Sequence, residues 1–109
     1  MPRIKENNGE IICPATAFMR LFKAKWTVQI LYQIMIGNNH YGKLLRSIPK
    51  INPRSLAIQL KHLEALHIIK KNTISEKPLQ IAYSLTEDGE QLKEIFFDMR
   101  NWYNNYTQE

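Results

Sequence analysis

The sequence predicts a mainly α-helical chain with one small β-hairpin, an α+β fold contained in a single domain. Apolar residues recur at helical spacing through residues 13–66, and again from Thr86 towards the end of the chain. Between these regions, β-branched residues lie on both sides of a turn at residues 75–78. A chain of 109 residues, 44% of them hydrophobic, can bury a core without disulfides or metals.

The first part of the chain is predicted to hold an arm and two helices. Residues 1–12 are expected to form a flexible N-terminal arm, followed by the domain proper at 13–109. The first helix begins at Cys13-Pro14, because proline lacks an N–H and fits the first helical position. A second helix begins near Trp26 and ends at Gly37, a residue that favours helix ends.

Two short helices follow, separated by a tight turn. A third helix is predicted over 41–48 and stops at Pro49, and a fourth is predicted over about 52–66. Asn52 is a good N-cap, and Pro53 fits the first turn of the fourth helix. This helix has one apolar stripe, made of Leu56, Leu60 and Leu63. Such a pair of helices is a helix-turn-helix arrangement.

The hairpin and the last helix complete the pattern. Strands are predicted over 68–74 and 81–86, with a basic, proline-containing turn between them. A hairpin of about 68–85 directly after a helix-turn-helix forms a wing, and Thr86 then caps a final helix. The sequence therefore predicts a winged helix-turn-helix.

Charge is distributed unevenly along the chain. Residues 1–42 have a net charge of +3, and residues 79–109 have −4. Residues 43–78 carry eight Lys/Arg against two Asp/Glu, a net charge of +6. A basic block between flanks of lower or opposite charge favours a polyanionic partner such as nucleic acid over an evenly solvated surface.

Several classes of protein are excluded by what the sequence lacks. Cys13 is the only cysteine, so no intrachain disulfide can form, and a reducing cytoplasm is the expected location. Neither a signal peptide nor a membrane span is expected. The three histidines share no metal-ligand spacing, and neither a phosphate-binding loop nor a nucleophile elbow occurs. We therefore expect no enzyme activity, no metal and no cofactor.

Several motifs in this order resemble those of the HxlR-type winged-helix regulators, relatives of the MarR group. They are Cys13-Pro14, Lys25-Trp26-Thr27, residues 41–49, Leu56-x-x-x-Leu60-x-x-Leu63-Glu64 and Tyr83-Ser84-Leu85-Thr86-x-x-Gly89. The resemblance covers roughly residues 13–102. It implies a dimeric bacterial or archaeal transcription factor whose terminal helices form the dimer interface and whose fourth helix reads the major groove.

Two positions depart from the family pattern. Ala24 and His67 stand where the family favours glycine. Either His67 adopts the left-handed conformation at some cost, or the fourth helix ends differently.

The outward face of the fourth helix is the candidate surface for double-stranded DNA. With the leucines turned inward, Arg54, Ile58, Lys61 and Ala65 point outward. Arg54 is a candidate for a bidentate guanine contact, with a phosphate contact as the alternative. Ile58 could meet a thymine methyl group or tuck against the third helix. Further candidates for DNA contacts are Ser55 and Gln59. Phosphate contacts are expected from Lys43, Arg46, Lys61 and His62. Lys71 and Lys77 of the hairpin are also expected to contact DNA, and the alternative is that the hairpin is simply solvated.

The final helix carries more aromatic surface than the core of a small domain can bury. A homodimer interface is therefore predicted, although these side chains could instead cover their own domain. A dimer predicts an operator of two-fold symmetry with half-sites roughly 34–36 Å apart. The predicted interface residues are Phe18, Phe22, Phe96, Met99, Trp102, Tyr103 and Tyr106.

Cys13 is a candidate redox sensor. The dipole of the first helix would favour its thiolate, and the resemblance implies sensing of oxidants or electrophiles. The alternative is a small apolar residue packed under the helix. A small-molecule or oxidant effector is compatible with the sequence.

Two other functions compete with DNA binding. A winged-helix module for protein–protein contacts would need an acidic or apolar groove-facing helix, whereas this one carries Arg54, Lys61 and His62. An RNA-binding domain would need an aromatic stacking platform on a sheet, which the pattern lacks.

Overall fold

The order of elements confirms the predicted winged helix-turn-helix, a mainly helical fold with a β-hairpin. The structure is a computed structural model that describes residues 5–7, 10–22 and 25–108. Its helices are α1 (Pro14–Met19), α2 (Lys25–Met35), α3 (Tyr41–Ser47), α4 (Pro53–Ala65) and α5 (Glu87–Thr107). Its strands are β1 (Lys5–Asn7), β2 (Glu10–Ile12), β3 (Ile69–Glu76) and β4 (Leu79–Leu85).

The N-terminal stretch that was predicted as an arm contains a short hairpin. Strands β1 and β2 pair in antiparallel fashion, with Lys5 opposite Ile12 and Asn7 opposite Glu10. The dipeptide Asn8-Gly9, which stands between them in the sequence, is of a type that favours tight hairpins. The flexibility of this stretch, like the domain boundary at residue 13, stays a prediction.

The core lies between α2, α4 and the wing. On α4 the predicted stripe is buried, and burying one leucine contributes about 1.5–3 kcal/mol. Opposite it, α2 buries Thr27 and four apolar side chains. The third helix adds one fully buried leucine to the same cluster. The central side chains of this core are Ile30, Leu31, Ile34, Met35, Leu44, Leu56, Leu60 and Leu63.

The turn between α3 and α4 fixes where α4 begins. Ile48 and Ile51 are buried on either side of Lys50, which adopts a left-handed backbone with φ of 68°. The side chain of Asn52 then accepts a hydrogen bond from the amide of Ser55 at 2.8 Å. The predicted N-cap is thus confirmed, and it sets the start of the helix.

The wing spans the predicted range, but its two strands extend further towards the turn than predicted, and the wing is attached to the loop before α3. The strands include residues 75–76 and 79–80, so the turn predicted at 75–78 is reduced to residues 77–78. The amide of Tyr83 donates to the carbonyl of Asn39 at 2.9 Å, and Asn39 Nδ2 donates back to the Tyr83 carbonyl at 2.8 Å. The strand pairing extends further than the β-branched residues because backbone hydrogen bonds, not side chains, define it.

A hydrogen-bonded junction joins the end of α4, the start of β3 and the start of α5. His67 adopts the left-handed conformation with φ of 60°, the first of the two alternatives expected there. Thr86 Oγ1 donates to the His67 carbonyl at 2.6 Å and accepts from the Gly89 amide at 3.1 Å. The Thr86 amide donates to the Ile68 carbonyl at 3.0 Å. The predicted cap of α5 therefore also fastens α5 to the chain that leaves α4.

Gly89 allows this close approach. A Cβ atom at this position would overlap the backbone carbonyl oxygen of Ile68 and would lie 3.1 Å from the Leu85 side chain. A backbone oxygen held by the Thr86 amide cannot move away easily, so α5 would have to shift.

We expect Gly89→Ala to lower the free energy of unfolding by about 1–3 kcal/mol, the usual cost of overpacking. Urea unfolding followed by circular dichroism measures the change. The matched control is Gly42→Ala in α3, where the added Cβ would meet only the flexible end of Arg46 at 3.4 Å. This control should be neutral or stabilising by up to about 1 kcal/mol, since alanine favours helix over glycine. Equal stability of the two variants would contradict the steric argument.

Candidate nucleic-acid interface

The outer face of α4 is free of core contacts. Arg54, Lys61 and Ala65 are exposed, as the helical geometry predicted. The side chain of Ile58 is 52% exposed, so it faces solvent and does not tuck against α3. This face therefore offers a guanidinium group in the first turn, an apolar side chain one turn later and an ammonium group beyond it.

Gln59 lies at the edge of this face and is tied to the core. The buried hydroxyl of Thr27 donates to Gln59 Oε1 at 2.6 Å. Adenine recognition by glutamine uses both the amide oxygen and the amide nitrogen, and here the oxygen already has a partner. The hydrogen bond from Thr27 fixes the amide group of Gln59, whose NH₂ group remains available as a donor. The other flanking candidate, Ser55, is half-buried, and its amide is engaged by Asn52.

His62 is directed towards α1. Its Nε2 atom lies 2.8 Å from the carbonyl oxygen of Leu21, and since a carbonyl only accepts, Nε2 carries the proton. In the neutral ring the other nitrogen is then an acceptor, which cannot bind a phosphate oxygen. The expected phosphate contact would require a doubly protonated ring. In this geometry His62 positions α4 against the end of α1.

Four of the predicted phosphate-binding residues surround one groove. The groove has a volume of about 580 Å³ and lies between α3, α4 and the wing. Leu60, Ile81 and Tyr83 contribute apolar surface to it. The basic side chains at this groove are Lys43, Arg46, Lys61 and Lys71, all of them exposed. Arg54 lies outside this groove lining, one turn before it on α4, and Lys77 lies at the wing tip.

The groove contains residues that the sequence reasoning missed. Burial is the main cause that raises the pKa of Tyr83 to about 12, followed by the negative charge of Glu64 and by Tyr41 when its phenol is ionised. The phenol of Tyr83 is therefore protonated throughout the physiological range. A signal was available, because Ile81 and Tyr83 stand two residues apart and so share one face of the strand.

The predicted dimer residues separate into two groups. Phe96 is only 4% exposed and contacts Phe22 with ring centroids 5.7 Å apart, so it belongs to the chain's own core. Phe18 and Phe22 are half-buried and pack against that core. The prediction that Phe96 lies at an interface is corrected accordingly, since α5 turns this side chain inward. The residues of the second group form an exposed aromatic cluster on the outer half of α5, and they are Met99, Trp102, Tyr103 and Tyr106.

The exposed aromatic cluster continues into an apolar groove against α2. Trp102 is 63% exposed, and its ring stacks on Tyr106 with centroids 4.8 Å apart. The groove has a volume of about 490 Å³ and includes Val28 and Tyr32 of α2. A surface of this size and composition on a small chain is typical of a contact site.

Cys13 is exposed and forms the N-cap of α1. Its Sγ lies 3.3 Å from Thr16 Oγ1 and accepts a hydrogen bond from the Thr16 amide at 3.4 Å. The Thr16 hydroxyl, followed by the Thr16 amide, lowers the pKa of the Cys13 thiol. The alternative of an apolar residue packed under the helix is thus wrong, and the neighbour that matters, Thr16, was not expected.

Neither a metal site nor a membrane-spanning helix is present in the described residues. Across residues 5–7, 10–22 and 25–108, no group of three or more His, Cys, Asp or Glu side chains is arranged to hold a metal ion. In the same part of the chain, no helix has the length and apolar character needed to cross a membrane.

Comparison with known proteins agrees with this geometry. The family model described as HxlR-like helix-turn-helix matches residues 21–109. The HTH-type transcriptional regulator YodB of Bacillus subtilis (strain 168) is 31% identical over 102 residues, which cover 92% of this chain and 90% of YodB.

Solved structures give the same picture. A MarR-family transcriptional regulator from Porphyromonas gingivalis W83 has 33% sequence identity and a TM-score of 0.71, covering 93% of this chain and 95% of its own. The redox regulator HypR in its oxidised form has 28% identity and a TM-score of 0.72, covering 89% of this chain and 99% of its own. This chain therefore belongs to the HxlR-like helix-turn-helix family, as a DNA-binding transcriptional regulator and not an enzyme.

Proposed function

We propose that the protein binds a specific operator as a homodimer, with α4 in the major groove and the wing on the flanking groove. The observation that carries the proposal is the division of α4 into two faces. One face is the buried leucine stripe, and the other presents Arg54, Ile58 and Lys61 to solvent. These three side chains are exposed on one strip of the helix, so packing of the core does not account for them.

Base contacts and phosphate contacts are assigned to different side chains. In helix-turn-helix proteins the N-terminal residues of the recognition helix reach base edges, which assigns base contacts to Arg54 and thymine-methyl contacts to Ile58. The Asn52 cap holds the first turn rigidly, so the Arg54 side chain starts from a fixed position. Phosphate contacts, which orient the protein without selecting sequence, are assigned to Lys43, Arg46, Lys61, Lys71 and Lys77.

The exposed aromatic cluster of α5 supports the homodimer. Two-fold association is the commonest way for a chain to cover such a patch, because the same surface serves both partners. Aromatic residues also dominate the energetics of protein interfaces. The operator would then have two-fold symmetry, with half-sites roughly 34–36 Å apart.

The competing function is a winged-helix module that contacts protein only. The basic side chains around the groove between α3, α4 and the wing argue against it, because they are suited to phosphate contacts. Such contacts give DNA binding a steep dependence on salt. Salt dependence on DNA therefore separates the two functions.

We expect Arg54→Ala to weaken specific binding to DNA upstream of the protein's own gene by about 5- to 150-fold, the loss of one bidentate base contact. Mobility-shift titrations over a salt series measure it, with random-sequence DNA for comparison. The control is Lys93→Ala on α5, which removes the same charge away from the proposed interface. Equal weakening by both variants would assign Arg54 a general electrostatic role. Absence of binding at low salt by a folded dimer would favour the protein-only module.

We expect Trp102→Glu to raise the dimer dissociation constant by about 30-fold or more, the loss typical of a central interface residue. Sedimentation velocity over a concentration series measures it. Leu79→Glu on the wing is the control, since Leu79 is 65% exposed, close to the 63% of Trp102. If Trp102→Glu leaves the dimer intact, the aromatic cluster is not the interface.

We further propose that Cys13 makes operator binding sensitive to oxidants. Its exposure and lowered thiol pKa support this, as does the similarity to a redox regulator. An oxidant such as diamide takes two electrons and two protons from two thiols. These are the Cys13 thiols of two copies, or Cys13 and a small thiol, since each chain has one cysteine.

We expect diamide, with glutathione present, to lower operator affinity about fivefold or more, the usual size of coupling between two sites. The Cys13→Ser variant should bind the operator with unchanged affinity, and the oxidant should not alter that affinity. Mobility shift gives affinity, and non-reducing electrophoresis with mass spectrometry identifies the disulfide. A quantitatively oxidised Cys13 with unchanged affinity would overturn the sensor proposal.

A further inference from the structure

Thr27 is the one polar side chain among the buried residues that the structure describes. It is fully buried in the first turn of α2, on the face that packs against α4. A valine has a similar shape and would fill this place without removing a hydroxyl group from water, which is unfavourable unless the group is hydrogen-bonded. The hydroxyl therefore needs a partner, and that partner is Gln59 of α4, 32 positions later in the chain.

The hydrogen bond between these residues fixes the orientation of the Gln59 amide. Because the hydroxyl that donates to Gln59 Oε1 is fully buried, this oxygen faces the core. Across residues 5–7, 10–22 and 25–108, the Gln59 side chain makes no other hydrogen bond, and no buried side-chain nitrogen or oxygen lacks a partner. The NH₂ group of Gln59 therefore reaches the surface, where it is a donor only.

This donor lies at the edge of the strip of α4 proposed to enter the major groove. Gln59 directly follows Ile58, which is 52% exposed, and Lys61 comes two residues later. Successive residues of a helix are turned by roughly 100°, so Gln59 stands beside the outward strip and not behind it. Its half-buried stem and its engaged oxygen leave the NH₂ group little freedom to choose another orientation.

We propose that Gln59 is a specificity-determining residue that selects guanine at one position of the operator, and that Thr27 is the positioning residue that fixes this choice. The proposal rests on the proposed function, because it requires α4 to lie in the major groove.

The four bases differ in what they offer to a fixed donor. Guanine has two acceptors in the major groove, N7 and O6, whereas thymine has one acceptor beside a methyl group and cytosine has only a donor. Adenine has one acceptor and one donor, and a freely turning glutamine recognises it through both atoms of its amide. With the oxygen of Gln59 held towards the core, the second of these adenine contacts is lost. Guanine is then the base that the NH₂ group satisfies best.

The test is selection of operators from a randomised DNA library by the full-length protein, followed by mobility-shift competition among the four bases at each selected position. We expect one position at which guanine is preferred over adenine by about 2- to 12-fold, the range for one hydrogen bond. Gln59→Ala should abolish that preference and leave the position that depends on Arg54 unchanged. An operator without a position that depends on Gln59, or with adenine preferred there, would overturn the proposal.

Two variants of Thr27 test its positioning role. Thr27→Val removes the hydroxyl and releases the oxygen of Gln59, so the preferred base at the same position should change from guanine to adenine. Thr27→Ser keeps the hydroxyl and should keep guanine. Thermal unfolding followed by circular dichroism establishes that both variants are folded. If Thr27→Val weakened binding equally for all four bases, Thr27 would have only a structural role.

Gln59→Glu tests the same idea without altering the core. The carboxylate can still accept from Thr27, but its second oxygen replaces the NH₂ donor by an acceptor. The preferred base should therefore change to cytosine, whose N4 group donates. The ratio between bases is compared, because the added negative charge weakens binding to every DNA sequence. Retention of guanine by this variant would contradict the proposed contact.

Failure of this inference and failure of the proposed function give different results. A folded wild-type protein that selects no DNA sequence would overturn both. An operator whose recognition depends on Arg54 but not on Gln59 would overturn this inference alone.

Discussion

The arrangement of this molecule depends on the hydrogen bonds of one hydroxyl group. Thr86 holds the carbonyl of His67, just past α4, and the amide of Gly89, in the first turn of α5. Its own amide holds Ile68 at the start of the wing. Three elements therefore meet with their backbones in contact, which explains the glycine at position 89. The proposed DNA-contacting helix and the exposed aromatic cluster of α5 are held in one rigid frame, so the junction would set the spacing of two recognition helices in a dimer.

Polar side chains hold α4 from both sides. Thr27 of α2 donates a hydrogen bond to Gln59, and His62 donates one to the carbonyl of Leu21 in the turn that follows α1. These side chains stand next to the outward strip and have DNA-binding chemistry, yet each makes a hydrogen bond within the protein. They leave a narrower strip free, with Arg54, Ile58 and Lys61 on it. Rigid placement of that strip matters because binding contacts require their geometry to be held within about 0.5 Å and about 10–20°.

The fold places the acidic and the basic segments of the sequence on different parts of the molecule. Acidic residues at the start of α5 lie where the helix dipole favours negative charge, whereas the basic ones gather around the groove of α3, α4 and the wing. A surface of this polarity attracts phosphate and carboxylate alike.

The sequence by itself determined the helices, the wing hairpin and the caps of α4 and α5, because helical periodicity, the period of two in strands and the capping chemistry of Asn52 and Thr86 are local properties. It also determined which face of α4 is apolar and that charge is concentrated at residues 43–78. Only the tertiary structure decided which partners those elements have. The contacts of Gln59 and His62 join residues 32 and 41 positions apart, and no periodicity encodes such distances. For the same reason the apolar pattern of α5 could not distinguish Phe96, which faces the core, from Trp102, which lies beyond the end of that core. Hydrophobicity predicts that a side chain will be buried, whereas only the packing of the elements determines which surface buries it.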